Sequence, residues 1–183
     1  VKEHLDRNNI EGVVKVQAGR THADNAWWLG LADEYSYVLG VIGWVDFTNP
    51  AEAADWLDEF GENSKFLGVR PMLEEEPDVD WVLQESVRQT IAAIAERDLI
   101  LELLVFPRHL KHLPDIARRH SEMRININHL AKPAVPDGTV DDWKRDIAAI
   151  AAFPNITFKV SALVEMWDAF NDGWTVADSV TPF

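Results

Sequence analysis

Six short apolar stretches recur along this chain at intervals of roughly 25 to 33 residues, with helical patterns between them, and this alternation restricts the fold more than any other feature. The stretches cover residues 12–17, 38–46, 66–70, 99–105, 123–129 and 155–161. All six read as strands. Helices are predicted over 23–35, 51–61, 81–97, 110–120 and 141–152, where apolar residues return every three or four positions, as in Val82, Val87, Ile91, Ile94 and Ala95. One interval accommodates a strand, a helix and two short loops, which implies successive right-handed βαβ units and a parallel sheet.

Two architectures satisfy that pattern, a doubly wound open sheet and a (β/α)8 barrel. A nucleotide-binding open sheet carries a glycine-rich turn after its first strand. Here Gln17 is followed by Ala18-Gly19-Arg20-Thr21, and neither G-x-G-x-x-G nor G-x-x-x-x-G-K-[ST] occurs in the chain. A barrel places polar residues at the C-terminal ends of its strands, around an open mouth. The strand ends here carry Gln17, Trp44 with Asp46, Arg70, Arg108 with His109, His129 with Lys132, and Lys159 with Ser161. The expected fold is therefore α/β, a partial (β/α)8 barrel holding about strands 2 to 7 without strand 1 and strand 8. The chain begins at Val1 in what reads as the tail of a helix and stops at Phe183 just after Thr175-Val176-Ala177-Asp178, which reads as the start of another. Those ends, and a length short of the roughly 250 residues of a whole barrel, give a single incomplete domain over 1–183 as the expectation.

The segment Arg124 to Pro133, R-I-N-I-N-H-L-A-K-P, concentrates the chemistry. Ile125 and Ile127 alternate with Asn126 and Asn128, so the two pairs belong to opposite faces of a strand that ends at His129. A histidine at that place is a candidate ligand or proton carrier, or else a strand cap. Arg108 suits a carboxylate, and the alternative for it and His109 is a helix-start pair before Leu110. Arg70, ahead of Pro71, is aimed across the mouth or paired with the acidic run Glu74-Glu75-Glu76, which itself reads as a solvated loop. Trp44 offers an apolar wall to a ligand, Gln17 a hydrogen-bond donor, and Asp46 reads as the start of a loop rather than a partner for a substrate hydroxyl. Lys159 alternates with Phe158 and Val160, so it points into the barrel or snorkels at the surface. His4 and His22 carry weaker signals, His112 and His120 read as a solvated helix face, and Trp27-Trp28 as helix packing.

Composition narrows the partners. The formal charge of −14 disfavours nucleic acid and anionic membranes. The absence of cysteine removes disulfides and thiolate ligands, fits a reducing cytoplasm, and leaves His, Asp and Glu as the groups able to hold a metal. No apolar run is long enough to cross a bilayer.

Six segments in order, V-V-K-V-Q (13–17), G-V-I-G-W-V-D (40–46), F-L-G-V-R-P-M-L (66–73), P-R-H-L (107–110), H-L-A-K-P (129–133) and F-P-N-I-T-F-K-V-S-A-L (153–163), resemble the amidohydrolase-related metal-dependent hydrolases, in the branch of sugar-lactone hydrolases. Members of that family carry an H-x-H at the end of strand 1 and an aspartate at the end of strand 8, neither of which lies in this sequence. The resemblance implies a barrel whose strand ends hold a divalent metal, with zinc the expected ion, and hydrolysis of a lactone or similar ester by a metal-activated water. By the same resemblance His129 would end strand 6 and sit near the metal or the ring oxygen. The implied partner is a small lactone or carboxylate, and a homo-oligomer is compatible with it. Two other readings differ in class. Lys159 could act as the nucleophile of a Schiff-base lyase, or the fragment could be an inactive piece whose open sheet edges favour association.

Overall fold

The structure is a computed structural model and describes residues 1–133 and 140–162. These fall into two compact units, one formed by 1–71 and 83–102 and the other by 72–82 with the residues from 103 onward. The reading of 175–178 as a helix start lies outside the described residues.

The first unit opens with helix α1 (Lys2–Arg7) and continues through β1 (Val13–Val16), α2 (His22–Glu34), β2 (Val38–Gly43), α3 (Pro50–Gly61), β3 (Phe66–Val69), α4 (Glu85–Glu96) and most of β4 (Ile100–Leu103). β1 pairs with β2, β2 with β3 and β3 with β4, all parallel and in chain order, as the βαβ pattern predicts. The helices form where one face is apolar. In α4, Val87, Thr90, Ile91 and Ile94 are buried at the three-and-four spacing, and in α3 the buried set is Ala53, Leu57 and Phe60. α2 starts at Thr21, whose hydroxyl accepts the Asp24 N–H at 3.2 Å, and α3 starts with Pro50 in its first turn. The helix predicted over 81–97 divides into a 3-10 turn at Trp81–Leu83 and α4. Trp27, expected to pack, is 57% exposed, because the buried positions of α2 are Asn25, Leu29 and Ala32.

In the second unit, a 3-10 turn at Leu73–Glu75 is followed by a 3-10 helix at Pro107–His112, α5 (Leu113–Arg119), β5 (Ile125–Ile127), a turn at Asn128–Ala131, α6 (Val140–Ala151) and β6 (Ile156–Phe158). β5 and β6 pair in parallel through Ile125↔Ile156 and Ile127↔Phe158, and Met72 forms a parallel bridge with Leu104. The core here holds Leu103, Leu110, Leu113, Ile125, Ile127, Trp143 and Ile150. The helix predicted over 110–120 starts earlier and as 3-10; Pro107 suits its first position, and Pro114 lacks the N–H that a continuous α-helix from 107 would use. Among the described residues no helix is long and apolar enough to cross a membrane.

The tightest constraint on the sheet falls at Gly68. A Cβ there would lie 2.1 Å from the Ile100 carbonyl oxygen and 2.8 Å from the Ile100 backbone nitrogen, so β3 and β4 approach this closely only around a glycine. Backbone atoms of a paired strand cannot swing aside as a side chain can. We expect Gly68→Ala to lower the stability of the full-length protein by about 1–3 kcal/mol, the usual cost of overpacking. A urea unfolding midpoint equal to wild type would show that the strands can part without cost.

Candidate functional site

At the strand ends the sheet's own hydrogen bonds run out, and side chains take their place. In the first unit, Asn25 of α2, fully buried, donates from Nδ2 to the Trp44 carbonyl at 2.7 Å and accepts the Trp44 N–H at 3.0 Å. Arg70, just beyond β3, donates from Nη2 to the Gln17 carbonyl at 2.6 Å, so two residues expected at the mouth meet through the backbone of one of them. The Gln17 amide is buried and donates to the carbonyls of Gly19 at 3.2 Å and Thr21 at 2.9 Å. Among the described residues its Oε1 has no hydrogen-bond partner. Trp44 is half-buried and belongs to an aromatic group: the His22 ring lies 5.5 Å from Trp44 and stacks on Trp56 at 4.2 Å. Asp46 begins a loop as expected, accepting the N–H of Thr48 at 2.8 Å. The sequence passed over Lys15, whose ammonium sits 4.0 Å over the Trp28 ring and whose pKa is lowered by burial and by Arg70.

In the second unit the centre is His129. The chain leaves β5 and enters a left-handed turn in which His129, Leu130, Ala131 and Lys132 have φ of 53°, 50°, 61° and 50°. None is glycine, and each such residue costs roughly 1–2 kcal/mol. The turn survives because its surroundings hold it. Lys132 N–H donates to the His129 carbonyl at 2.8 Å, Leu130 N–H to the Lys159 carbonyl at 3.2 Å, and the Trp143 indole of α6 to the Leu130 carbonyl at 2.8 Å. The Lys132 ammonium is paired with Glu74, both partly buried. Glu74 is therefore no part of a solvated loop, since its carboxylate anchors the far end of the turn. His129 Nδ1 lies 2.8 Å from the Ser161 hydroxyl.

Phe106 stands beside this group, with the Arg108 guanidinium 4.7 Å and the Lys132 ammonium 5.4 Å from its ring. Arg108 is exposed and donates to the Glu74 carbonyl at 3.3 Å. Lys159 is half-buried, and its main chain bonds Ile127 and Leu130. His112 is buried rather than solvated, with Nε2 2.9 Å from an Asp80 carboxylate oxygen, because the 3-10 start turns it inward.

His109 is 1% exposed, and its Nδ1 accepts the Phe106 N–H at 3.0 Å. The proton of the neutral ring therefore sits on Nε2, which is buried without a hydrogen-bond partner among the described residues. Burial first, then the neighbouring Arg108 and His112, pushes its pKa down from 6.5 to about 4. The folded state thus binds this proton more weakly than the unfolded chain. Stability contributed by neutral His109 is complete above about pH 6.5 and is lost as pH falls towards about 4. We expect acidification across that window to lower the thermal midpoint, and His109→Asn to flatten the dependence. Equal slopes in the two proteins would mean that His109 is not the group responsible.

A metal of the kind the resemblance implies needs several converging ligands. His129 fits as one of them, an imidazole at a strand end with a polar partner on Nδ1. Among the described residues no cluster of three or more His, Asp or Glu is placed to hold an ion, so they do not close a site by themselves.

Comparison with known proteins bears on the same region. An L-fucono-1,5-lactonase from Burkholderia ambifaria is 36% identical over 159 residues, spanning 87% of this chain and 54% of its own length. A second L-fucono-1,5-lactonase, from Burkholderia multivorans, is 28% identical over 82% of this chain and 52% of its own length. The chain thus spans about half the length of the curated relatives it matches. A crystal structure of an amidohydrolase from Burkholderia multivorans with bound zinc superposes with a TM-score of 0.87 at 26% identity, over 97% of this chain and 62% of that one. The alternating parallel elements are accordingly part of a (β/α)8 barrel of the amidohydrolase kind. The match to the family described as Amidohydrolase runs from residue 2 to residue 181, and on that near-complete correspondence the chain belongs to the amidohydrolase family.

Proposed function

We propose that the protein carrying this chain hydrolyses a sugar lactone or similar cyclic ester, with His129 at the reacting centre and a divalent metal, zinc first, as cofactor. The observation that carries this reading is the placement of His129, at the C-terminal end of β5 on a strained turn held from three sides, in a chain related to L-fucono-1,5-lactonases. Strained backbone that persists only through its surroundings is concentrated at functional sites. Opening a lactone adds water oxygen to the carbonyl carbon, breaks the ring carbon–oxygen bond and hands a proton to the departing ring oxygen, leaving a hydroxy acid. A bound metal supplies Lewis-acid polarisation and more acidic water to such a reaction.

The chain's own residues bind, orient and move protons. His129 would hold the metal or carry the proton between water and ring oxygen. Exposed Arg108 would meet the substrate carbonyl or the carboxylate of the product with its fork of N–H donors. Phe106, which the sequence did not single out, would give the sugar ring an apolar contact. Gln17, Trp44, Arg70, His109 and Lys159 are kept as proposed substrate contacts or supports, with the amide Oε1 of Gln17 suited to a hydroxyl. The Schiff-base role for Lys159 has no support in the comparisons, which point to hydrolases.

In the full-length protein, with a panel of aldonic acid lactones, we expect His129→Ala to lower kcat by two or more orders of magnitude. Removal of divalent metal with a chelator should abolish turnover, and zinc should restore it. Near-normal turnover in His129→Ala would end its assignment to the reacting centre, and full activity in metal-free protein would end the metal-dependent form of the proposal.

A further inference from the structure

We propose that Ser161 is a positioning residue for His129, its hydroxyl accepting the Nδ1 proton and so holding the imidazole in one orientation and one tautomer. The inference rests on the reading of His129 just given. Three bonds that stabilise the left-handed turn act on its main chain, Lys132 N–H to the His129 carbonyl, Leu130 N–H to Lys159 and the Trp143 indole to Leu130, and the Glu74 carboxylate holds the Lys132 side chain. The hydrogen bond to Ser161, at 2.8 Å, acts on the ring itself.

Ser161 arrives there by the register of the sheet. Lys159 donates its N–H to the Ile127 carbonyl at 2.9 Å and accepts the Leu130 N–H, so the segment leaving β6 runs beside the segment leaving β5. Ser161, two residues further, comes opposite His129. The next residue, Ala162, has φ 55°, a left-handed conformation on a residue with a Cβ. Unfavourable backbone therefore lies on both sides of one side-chain hydrogen bond, the arrangement expected where the surroundings over-determine a geometry that function needs.

The chemistry explains why a hydroxyl suits the place. A serine oxygen both donates and accepts, whereas a neutral imidazole has one nitrogen of each kind. When the hydroxyl accepts from Nδ1–H, the lone pair is on Nε2, the state required of a metal ligand or a proton acceptor. Donation in the other direction would place the proton on Nε2 and remove that capacity. In the proposed arrangement, with the hydroxyl as acceptor, Nε2 is the basic nitrogen.

The test uses the full-length protein with Ser161→Ala and Ser161→Thr, kcat and KM on a sugar lactone, and nitrogen NMR of labelled histidine, the His129 signals being assigned by their loss in His129→Gln. We expect Ser161→Ala to lower kcat by about 10- to 100-fold, the usual effect of losing such a supporting partner, with KM little changed. We also expect it to move the His129 ring signals from the Nδ1-protonated form towards a mixture of tautomers. Ser161→Thr, which keeps the hydroxyl, should restore both. If Ser161→Ala unfolds, Ser161→Cys reads the same two quantities with a weak hydrogen-bonding group. Unchanged ring signals in the Ala or Cys protein would overturn the proposal, whatever the activity. A fully active His129→Ala would instead sink the functional reading, and the NMR result would still decide the positioning role.

Discussion

Parallel strands buried on both faces must hydrogen-bond every N–H and C=O along their length, and the need becomes acute where each strand ends and its neighbour no longer supplies a partner. This chain meets it with side chains. Asn25 closes the backbone of Trp44, the Arg70 guanidinium closes Gln17, His109 closes Phe106, and the Trp143 indole closes Leu130. Each contact brings polar groups to the C-terminal ends of the strands, where barrels carry their chemistry. Structural closure and the gathering of polar groups at the strand ends are therefore one arrangement.

The same accounting separates the candidates. His109 has one ring nitrogen committed to the backbone and the whole ring buried, so its neutrality supports the fold. Arg70 and Gln17 are bound together through main-chain atoms, which orders them without consuming the Gln17 Oε1. His129 differs because its ring is held by a hydroxyl from the segment that follows β6, and because its own backbone is in a conformation that L-residues avoid. Around it, Glu74 and Lys132 form a partly buried ion pair, where removing either partner leaves the other charge poorly solvated. The turn is consequently rigid for electrostatic as well as hydrogen-bonding reasons.

Element order and type were legible in the sequence because they rest on local periodicity. Strands at 13–16, 38–43, 66–69, 100–103, 125–127 and 156–158 fall inside the six apolar stretches, and the helices follow the three-and-four spacing. The misreadings occurred where local pattern competes with partners distant in sequence. Glu74 looked solvated within an acidic triplet, yet its partner Lys132 lies 58 residues away. His112 looked like part of an exposed face, but a 3-10 start rotates that face inward. The left-handed turn had no signal at all, since neither glycine nor asparagine occupies 129–132.

By itself, then, the sequence determined an alternating parallel α/β chain with polar strand ends and a histidine after β5, because hydrophobic periods of two and of three to four are written in neighbouring residues. Tertiary structure alone decided how that histidine is held. Only the sheet register brings Ser161 to Nδ1 across 32 residues, and only the combined hold of Lys159, Trp143 and Glu74 outweighs the intrinsic cost of four left-handed residues. Such a turn is unfavourable residue by residue, and no local reading of the chain could have chosen it.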